Sequence, residues 1–447
     1  MRYRLDASVR RADGGHALVG GSPLKVFRVT GAGARLIDEI AAGNDIAVRP
    51  FVERLIDAGA IHPLPDASPF TLADVTAVIP TYRQDVLEAL SGLGDVGRII
   101  VVDDASPVPV RVPDGVEVVR HPTNLGPGAA RGTGLAMVTT PLVAFIDADT
   151  RPPPDWLSAL LPHFSDNRVA LVAPRVRSDE REPGLLARYE TFRSPLDLGP
   201  LPARIRARTR VGYIPGAALV ARADALRAAD GFASDMRIGE DVDLVWRLDE
   251  AGHRLRYEPD SVVYHAPRTS PLAWMRQRFE YGTSAAALAR RHHEAVAPLT
   301  VSGWSVATWA LAAAGWPIAG VAVGATTATL LARKLSALEH PMVEALRLAG
   351  LGHLFAGRQI ASAITRTWWP FALAGAVVSK RARRIVLTAA VVPALIDWAR
   401  EKPAIDVGPW VALRLLDDAA YGAGVWVGCL REGSFEALAP DLTSWPK

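Results

Sequence analysis

Leu142-Val143-Ala144-Phe145-Ile146-Asp147-Ala148-Asp149 decides the reading of this chain: an apolar run leads straight into two carboxylates set two apart. Short apolar runs bounded by polar groups are expected of strands buried on both faces of a mostly parallel sheet. Open α/β sheets bind ligands beyond the carboxyl ends of their strands, which is where Asp147 and Asp149 fall. Two such carboxylates can share a divalent cation, directly or through water, and hard oxygen ligands suit Mg2+ or Mn2+. An Asp-x-Asp alone is common and more often caps a helix or faces solvent, so its neighbours must carry the argument.

Working outward, Val75-Thr76-Ala77-Val78-Ile79-Pro80, Arg98 to Asp104 and Val116 to Val119 repeat the same texture. Asp103 and Asp104 again sit at a strand end. A carboxylate there can accept the N3–H of uracil, with Thr81 and Tyr82 lining the base pocket. Between the two acid-ended strands lies His121-Pro122-Thr123-Asn124-Leu125-Gly126-Pro127-Gly128-Ala129-Ala130-Arg131. Its glycines permit close backbone approach, and Arg131 can reach a phosphate or buttress an aspartate. Further on, Gly239-Glu240-Asp241-Val242-Asp243 opens an amphipathic helix. Acids in a first helical turn are favoured by the dipole alone. The functional reading makes Asp241, beside Glu240, the general base for an acceptor hydroxyl. His265 closes a further strand-like run and is a candidate for the metal shell with Asp149, although a lone histidine is more often structural.

Residues 75–290 resemble the family-2 glycosyltransferases of GT-A fold. The matching marks are Ile79-Pro80-Thr81-Tyr82, Val102-Asp103-Asp104-Ala105-Ser106, Asn124-Leu125-Gly126 with Ala130-Arg131, Asp147-Ala148-Asp149 and Gly239-Glu240-Asp241. The resemblance implies a UDP-sugar donor held by Pro80, Thr81, Tyr82, Asp104, Arg131 and Asp147, metal on Asp149, and Asp241 as base. The family's Gln-x-x-Arg-Trp signature of processive enzymes is not matched; Arg276-Gln277-Arg278-Phe279 stands where it would fall. Over nearly its whole length the chain also resembles the mycofactocin-system glycosyltransferases of actinobacteria. Leu18-Val19-Gly20-Gly21-Ser22-Pro23, Ser194-Pro195-Leu196-Asp197-Leu198-Gly199, Arg254 to Pro259 and Asp417 to Gly424 carry that likeness. It implies transfer of glucose from UDP-glucose, in β-1,4 linkage, to premycofactocin. A polyprenyl phosphate or a cell-envelope polysaccharide is the alternative acceptor. A non-catalytic membrane scaffold fits poorly with so complete a set of carboxylates.

The remaining sequence frames this centre. At 447 residues two or three folding units are expected. Residues 1–70 read as a small winged-helix-like α+β module: strands over 17–21 and 24–29, a helix after Thr30, another over 48–58, then a Pro-rich linker over 62–69. Without a dense basic recognition helix, and with a net charge of only +3, nucleic acid is not expected as a partner. Cys429 is the single cysteine, which excludes an internal disulfide and suits a reducing compartment. The N-terminus lacks the apolar core of a signal peptide. The glycosyltransferase domain is expected over 71–290 and an apolar helical, membrane-associated region over 291–447. No residue between Glu294 and Arg333 is charged, and Gly315-Trp316-Pro317 interrupts the run, as in a two-pass or re-entrant hairpin. Lys380-Arg381-Ala382-Arg383-Arg384 and nearby tryptophans suit the cytoplasmic face of the cell membrane. The competing reading is a soluble helical domain with an unusually apolar core.

Overall fold

The computed structural model describes residues 1–443. One compact unit runs from Met1 to Pro267 and a second begins at Arg268.

The first unit starts with β1 (Arg2–Leu5), β2 (Arg10–Ala12), β3 (Ala17–Gly20), β4 (Lys25–Arg28), α1 (Gly31–Ala41), α2 (Pro50–Asp57) and β5 (Ile61–Leu64). β3 pairs antiparallel with β2 and β4, and β1 with β5. The Thr30 hydroxyl caps α1 by accepting from the Gly33 amide at 3.3 Å. Leu36, Ile37 and Ile40 of α1 then meet Val52, Leu55 and Ile56 of α2 in one core. The stretch expected as linker begins instead with β5, because Ile61 is fully buried opposite Leu5.

Ion pairs fasten this module to the rest of the unit. Asp6 accepts from His62 and from Arg210, the latter at 2.7 Å. Burial alone would raise the Asp6 pKa, but His62, Arg210 and Ser8 hold it far below the usual carboxylate range. Arg254 reaches Glu53, Asp57 at 3.0 Å and Asp166 at 2.7 Å.

The larger part follows as β6 (Val75–Thr81), α3 (Leu87–Ser91), β7 (Arg98–Asp103), β8 (Glu117–Arg120), α4 (Pro127–Met137), β9 (Leu142–Ile146) and β10 (Thr150–Arg151). It continues through β11 (Val169–Ser178), α5 (Leu185–Arg193), β12 (Ala203–Arg204), β13 (Ala218–Arg222), α6 (Ala223–Ala228), α7 (Glu240–Glu250) and β14 (Arg254–His265). The nine-stranded sheet runs β8-β7-β6-β9-β13-β11-β14-β10, with β12 beside β14. β6 is parallel to β7 and β9, and β7 to β8. β13 is antiparallel to β9 and β11, which makes the sheet mixed. That reversal sets the segment before β13 against the end of β9: the Asp147 amide donates to the Ala217 carbonyl at 2.9 Å. β6 and β9 are fully buried along their length, as their apolar runs require.

The second unit is helical: α8 (Pro271–His292), α9 (Gly303–Ala313), α10 (Pro317–Lys334), α11 (Pro341–Ser362), α12 (Trp369–Val378), α13 (Lys380–Glu401) and α14 (Val407–Glu432). α8 and α14 pack backbone to backbone, since a Cβ on Gly282 or Gly424 would collide with the Tyr421 or Phe279 carbonyl of the other helix. The break expected at Gly315-Trp316 falls between α9 and α10, with Gly315 at φ +89°. Among the described residues no helix is long and apolar enough to cross a membrane. At 1.5 Å per residue the eleven residues of α9 rise about 17 Å, well short of the ~30 Å of a hydrocarbon core.

α4 lies against β6 at Gly134, where a Cβ would run into the Val78 side chain. Gly134→Ala should lower unfolding stability by about 1–3 kcal/mol through overpacking, measured by urea denaturation.

Candidate active site

The strand ends deliver their acids to one edge of the sheet, but each acid has a different neighbourhood. Asp147 follows β9 and its Oδ1 accepts from Arg131 at 2.6 Å. The other terminal nitrogen of Arg131 donates to Glu240 at 2.6 Å, and the Gly216 carbonyl accepts from the guanidinium at 3.2 Å. Gly216 in turn donates its amide to Asp241 Oδ2 at 2.6 Å. A side chain at position 216 would press on Arg131, with a Cβ 2.9 Å from its nitrogen, so only glycine allows this close approach. The Arg131 guanidinium also lies 5.5 Å over the Phe232 ring.

Arg131 is buried, which by itself disfavours its charge. The carboxylates of Asp147, Glu240 and Asp241 outweigh that cost and hold its pKa above the ordinary arginine value. The acids share one cation among several negative groups. Burial raises the Asp147 pKa, Arg131 draws it down, and Asp149 adds to the rise. Burial, then the charge of Asp241, pushes Glu240 up to about 7 against the pull of Arg131. Asp241 is half-buried where Glu240 is buried. Its Oδ1 accepts from the Val242 amide at 2.8 Å, so two of its four acceptor positions are taken.

Asp149 and His265 meet at the other end of the loop. Their Oδ1 and Nε2 lie 3.3 Å apart, held by pairing of Thr150 with His265 between β10 and β14 and by donation from Ala266 to the Asp149 carbonyl. Gln84 donates to Asp149 Oδ2 at 2.9 Å. Among the described residues no group of three or more acidic, histidine or cysteine side chains converges as a complete metal cage. A carboxylate oxygen beside an imidazole nitrogen is nonetheless a donor pair whose chemistry suits a divalent cation.

The expected base-pocket residues separate. Pro80 and Thr81 are buried, and Thr81 spends its hydroxyl on the Gln84 carbonyl at 3.0 Å; Tyr82 is exposed, with Arg83 stacked 4.9 Å over its ring. Asp104 is buried and accepts from His121 Nδ1 at 2.7 Å, the Leu125 amide at 2.9 Å and the Gly126 amide at 2.8 Å. It thereby pins the glycine-rich loop at the start of α4, leaving a single acceptor position on Oδ2. Asp103 points the other way. Burial would raise its pKa, but Ser106, the Val110 amide and Arg120 hold it low.

Sequence reasoning set Asp147 and Asp149 together after one strand and Asp241 at a helix start; Asp241 does lie in the first turn of α7, but Asp147 turns to Arg131 and Asp149 to Gln84 and His265. It missed Gln84 and Gly216, which have no motif of their own. His121 stood within the quoted glycine-rich stretch without a role.

Residues 76–226 match the family described as Glycosyl transferase family 2. With the mixed sheet and its acid-ended strands, that match makes the chain a glycosyltransferase of GT-A fold. The Pre-mycofactocin glycosyltransferase of Mycobacterium tuberculosis (strain CDC 1551 / Oshkosh) is 41% identical over a 461-residue alignment covering 98% of this chain and 97% of that protein. Glycosyltransferase AglE of Haloferax volcanii is 25% identical over 215 residues, 44% of this chain and 68% of that one. Among solved structures, the mannosyltransferase PcManGT from Pyrobaculum calidifontis in complex with GDP-Man and Mn2+ is 22% identical, with a TM-score of 0.37, covering 63% of this chain and 85% of that chain. The chain belongs to the pre-mycofactocin glycosyltransferase family.

Two expectations follow from Arg131 and Glu240. Arg131→Met leaves Asp147 and Glu240 without their shared partner and should cost about 3–5 kcal/mol of stability, read by urea unfolding. A carboxyl with a raised folded pKa stabilises most when protonated. For Glu240 that contribution is complete below the ordinary value of 4.5 and is lost as pH climbs through about 7. Glu240→Gln, fixed in the neutral state, should therefore gain on the parent protein between about pH 5 and about pH 8; paired denaturation curves at the two pH values report the difference.

Proposed function

We propose that this enzyme transfers glucose from UDP-glucose to premycofactocin, building β-1,4-linked glucose units with inversion at the anomeric carbon, at the cytoplasmic face of the cell membrane. The observation that carries the chemistry is the division of labour around Arg131: Glu240 is buried on the guanidinium, whereas Asp241 is half-exposed and only partly engaged. The full-length likeness to the mycobacterial relative supports the acceptor.

Asp241 takes the proton from the acceptor hydroxyl. That oxygen forms a bond to C1 of glucose on the face opposite UDP, and the C1–O bond to the diphosphate breaks. Gly216 fixes the orientation of the base through its amide. Asp147, tied to Arg131, orients the donor sugar. Asp149 and His265 are the residues that would hold Mg2+ or Mn2+. When bound, the cation neutralises negative charge on the departing diphosphate. Tyr82 offers an exposed ring to the base, and Asp104 offers its remaining acceptor position to the uracil N3–H.

Purified enzyme incubated with UDP-glucose, Mn2+ and premycofactocin should add successive hexose increments to the acceptor mass. Hexose appearing only on a lipid acceptor would overturn the reading. Asp241→Asn should slow transfer by roughly 100-fold or more while UDP affinity stays unchanged. Asp149→Asn should instead remove the metal dependence of UDP binding, measured by calorimetry.

A further inference from the structure

The second unit carries its apolar residues the wrong way round for a protein bathed in water. Between Trp309 and Ile396 many of the large apolar side chains face out: Ile318 and Val378 are each 85% exposed, and Trp316, Val321, Phe355 and Phe371 are exposed with them. α12 buries none of its residues. What these helices turn inward is small or polar. Gly320 lies against the Thr308 carbonyl, with a Cβ there only 2.7 Å away, and Gly324 lies against His353. Ser305 and His353 share a hydrogen bond of 2.9 Å, and Arg358 holds buried Asp397 at 2.7 and 2.9 Å. Small residues at helix contacts with large apolar groups outside is the arrangement of a protein whose surroundings are themselves apolar.

Charge decides which apolar surroundings these are. From Gly303 to Lys402 there are eleven Lys and Arg against four Asp and Glu. Lys380, Arg381, Arg383 and Arg384 occupy the first turns of α13, where the helix dipole favours anions, not cations. They follow directly on Val377 and Val378. Arg381 also lies next to Gly315, which brings the exposed Trp316 loop to the same place. An exposed tryptophan, an apolar helix end and a basic cluster side by side match the level of lipid headgroups.

We infer that α9 to α13 form a docking face that lies in the plane of an anionic bilayer, with Trp316 and Val378 in the acyl boundary and the basic turn of α13 on headgroup phosphates. This rests on the membrane location proposed above and specifies its mode: insertion from one side, since none of these helices is long and apolar enough to cross.

Flotation of the full-length protein with phosphatidylcholine vesicles, with and without phosphatidylglycerol, tests the mode. Strong flotation with the anionic vesicles, weakened by salt and released by alkaline carbonate, is the expected result. Arg381→Glu with Arg384→Glu should weaken binding to anionic vesicles about tenfold or more, with thermal unfolding unchanged. Val378→Asp should weaken binding to both vesicle types. Carbonate-resistant binding would overturn in-plane docking while leaving the membrane location standing, and equal binding to neutral vesicles would overturn the role of the basic turn. No binding to any vesicle, with dimers seen by sedimentation equilibrium, would remove the membrane reading itself and assign the face to a second copy of the chain.

Discussion

The buried guanidinium of Arg131 is the interaction on which the catalytic edge of the sheet depends. It comes from the helix that follows the glycine-rich loop, and it binds Asp147 after β9, Glu240 at the start of α7 and the Gly216 carbonyl before β13. Three segments far apart in sequence are thus referred to one cation. A buried charge is tolerable only when paired and hydrogen-bonded, so each partner is needed to keep the others in place. The guanidinium is outnumbered by the acids around it, and the elevated pKa values of Asp147 and Glu240 register that shortage of positive charge. The same shortage of positive charge is what a divalent cation beside Asp149 and His265 would offset.

The acids at the strand ends are chemically alike, yet their surroundings give them different work. Asp103 and Asp104 are consecutive and so point to opposite sides of the strand. One fastens Arg120 and the Ser106 turn, and the other gathers His121 with the Leu125 and Gly126 amides. Glu240 and Asp241 are likewise adjacent but divide between an interior ion pair and a half-exposed carboxylate. Residue type alone cannot express such a difference, because it arises from which side of a turn each group leaves.

Much of the strand-and-helix plan was legible from local pattern. The four apolar runs at residues 75, 98, 116 and 142 became β6, β7, β8 and β9 to within a residue or two; burial on both faces explains β6 and β9, whereas β8 is an edge strand and largely exposed. Thr30 and Gly239 marked helix starts for reasons that are equally local. The antiparallel β13 was not legible: strand direction depends on the path of the chain between elements, and residues 185–217 carry no periodic signal of it. β5 hid inside a proline-rich stretch because the burial of Ile61 opposite Leu5 depends on a strand almost sixty residues earlier. In the helical unit, apolar content was plain in the sequence, whereas its outward orientation appears only once small residues are seen to occupy the helix contacts.

The Asp147-Ala148-Asp149 tripeptide shows where the two sources of information part. By itself the sequence determined that an apolar strand ends in two carboxylates, that a glycine-rich turn with Arg131 precedes them, and that an acidic helix start follows; these are consequences of nearest-neighbour chemistry. Only the tertiary structure decided that Asp147 belongs to Arg131 while Asp149 belongs to Gln84 and His265. The physical reason is that a pairing between separate elements, such as Asp149 with Gln84 65 residues away, is set by sheet order and strand direction, and nothing in the local sequence encodes which group will arrive within hydrogen-bonding distance.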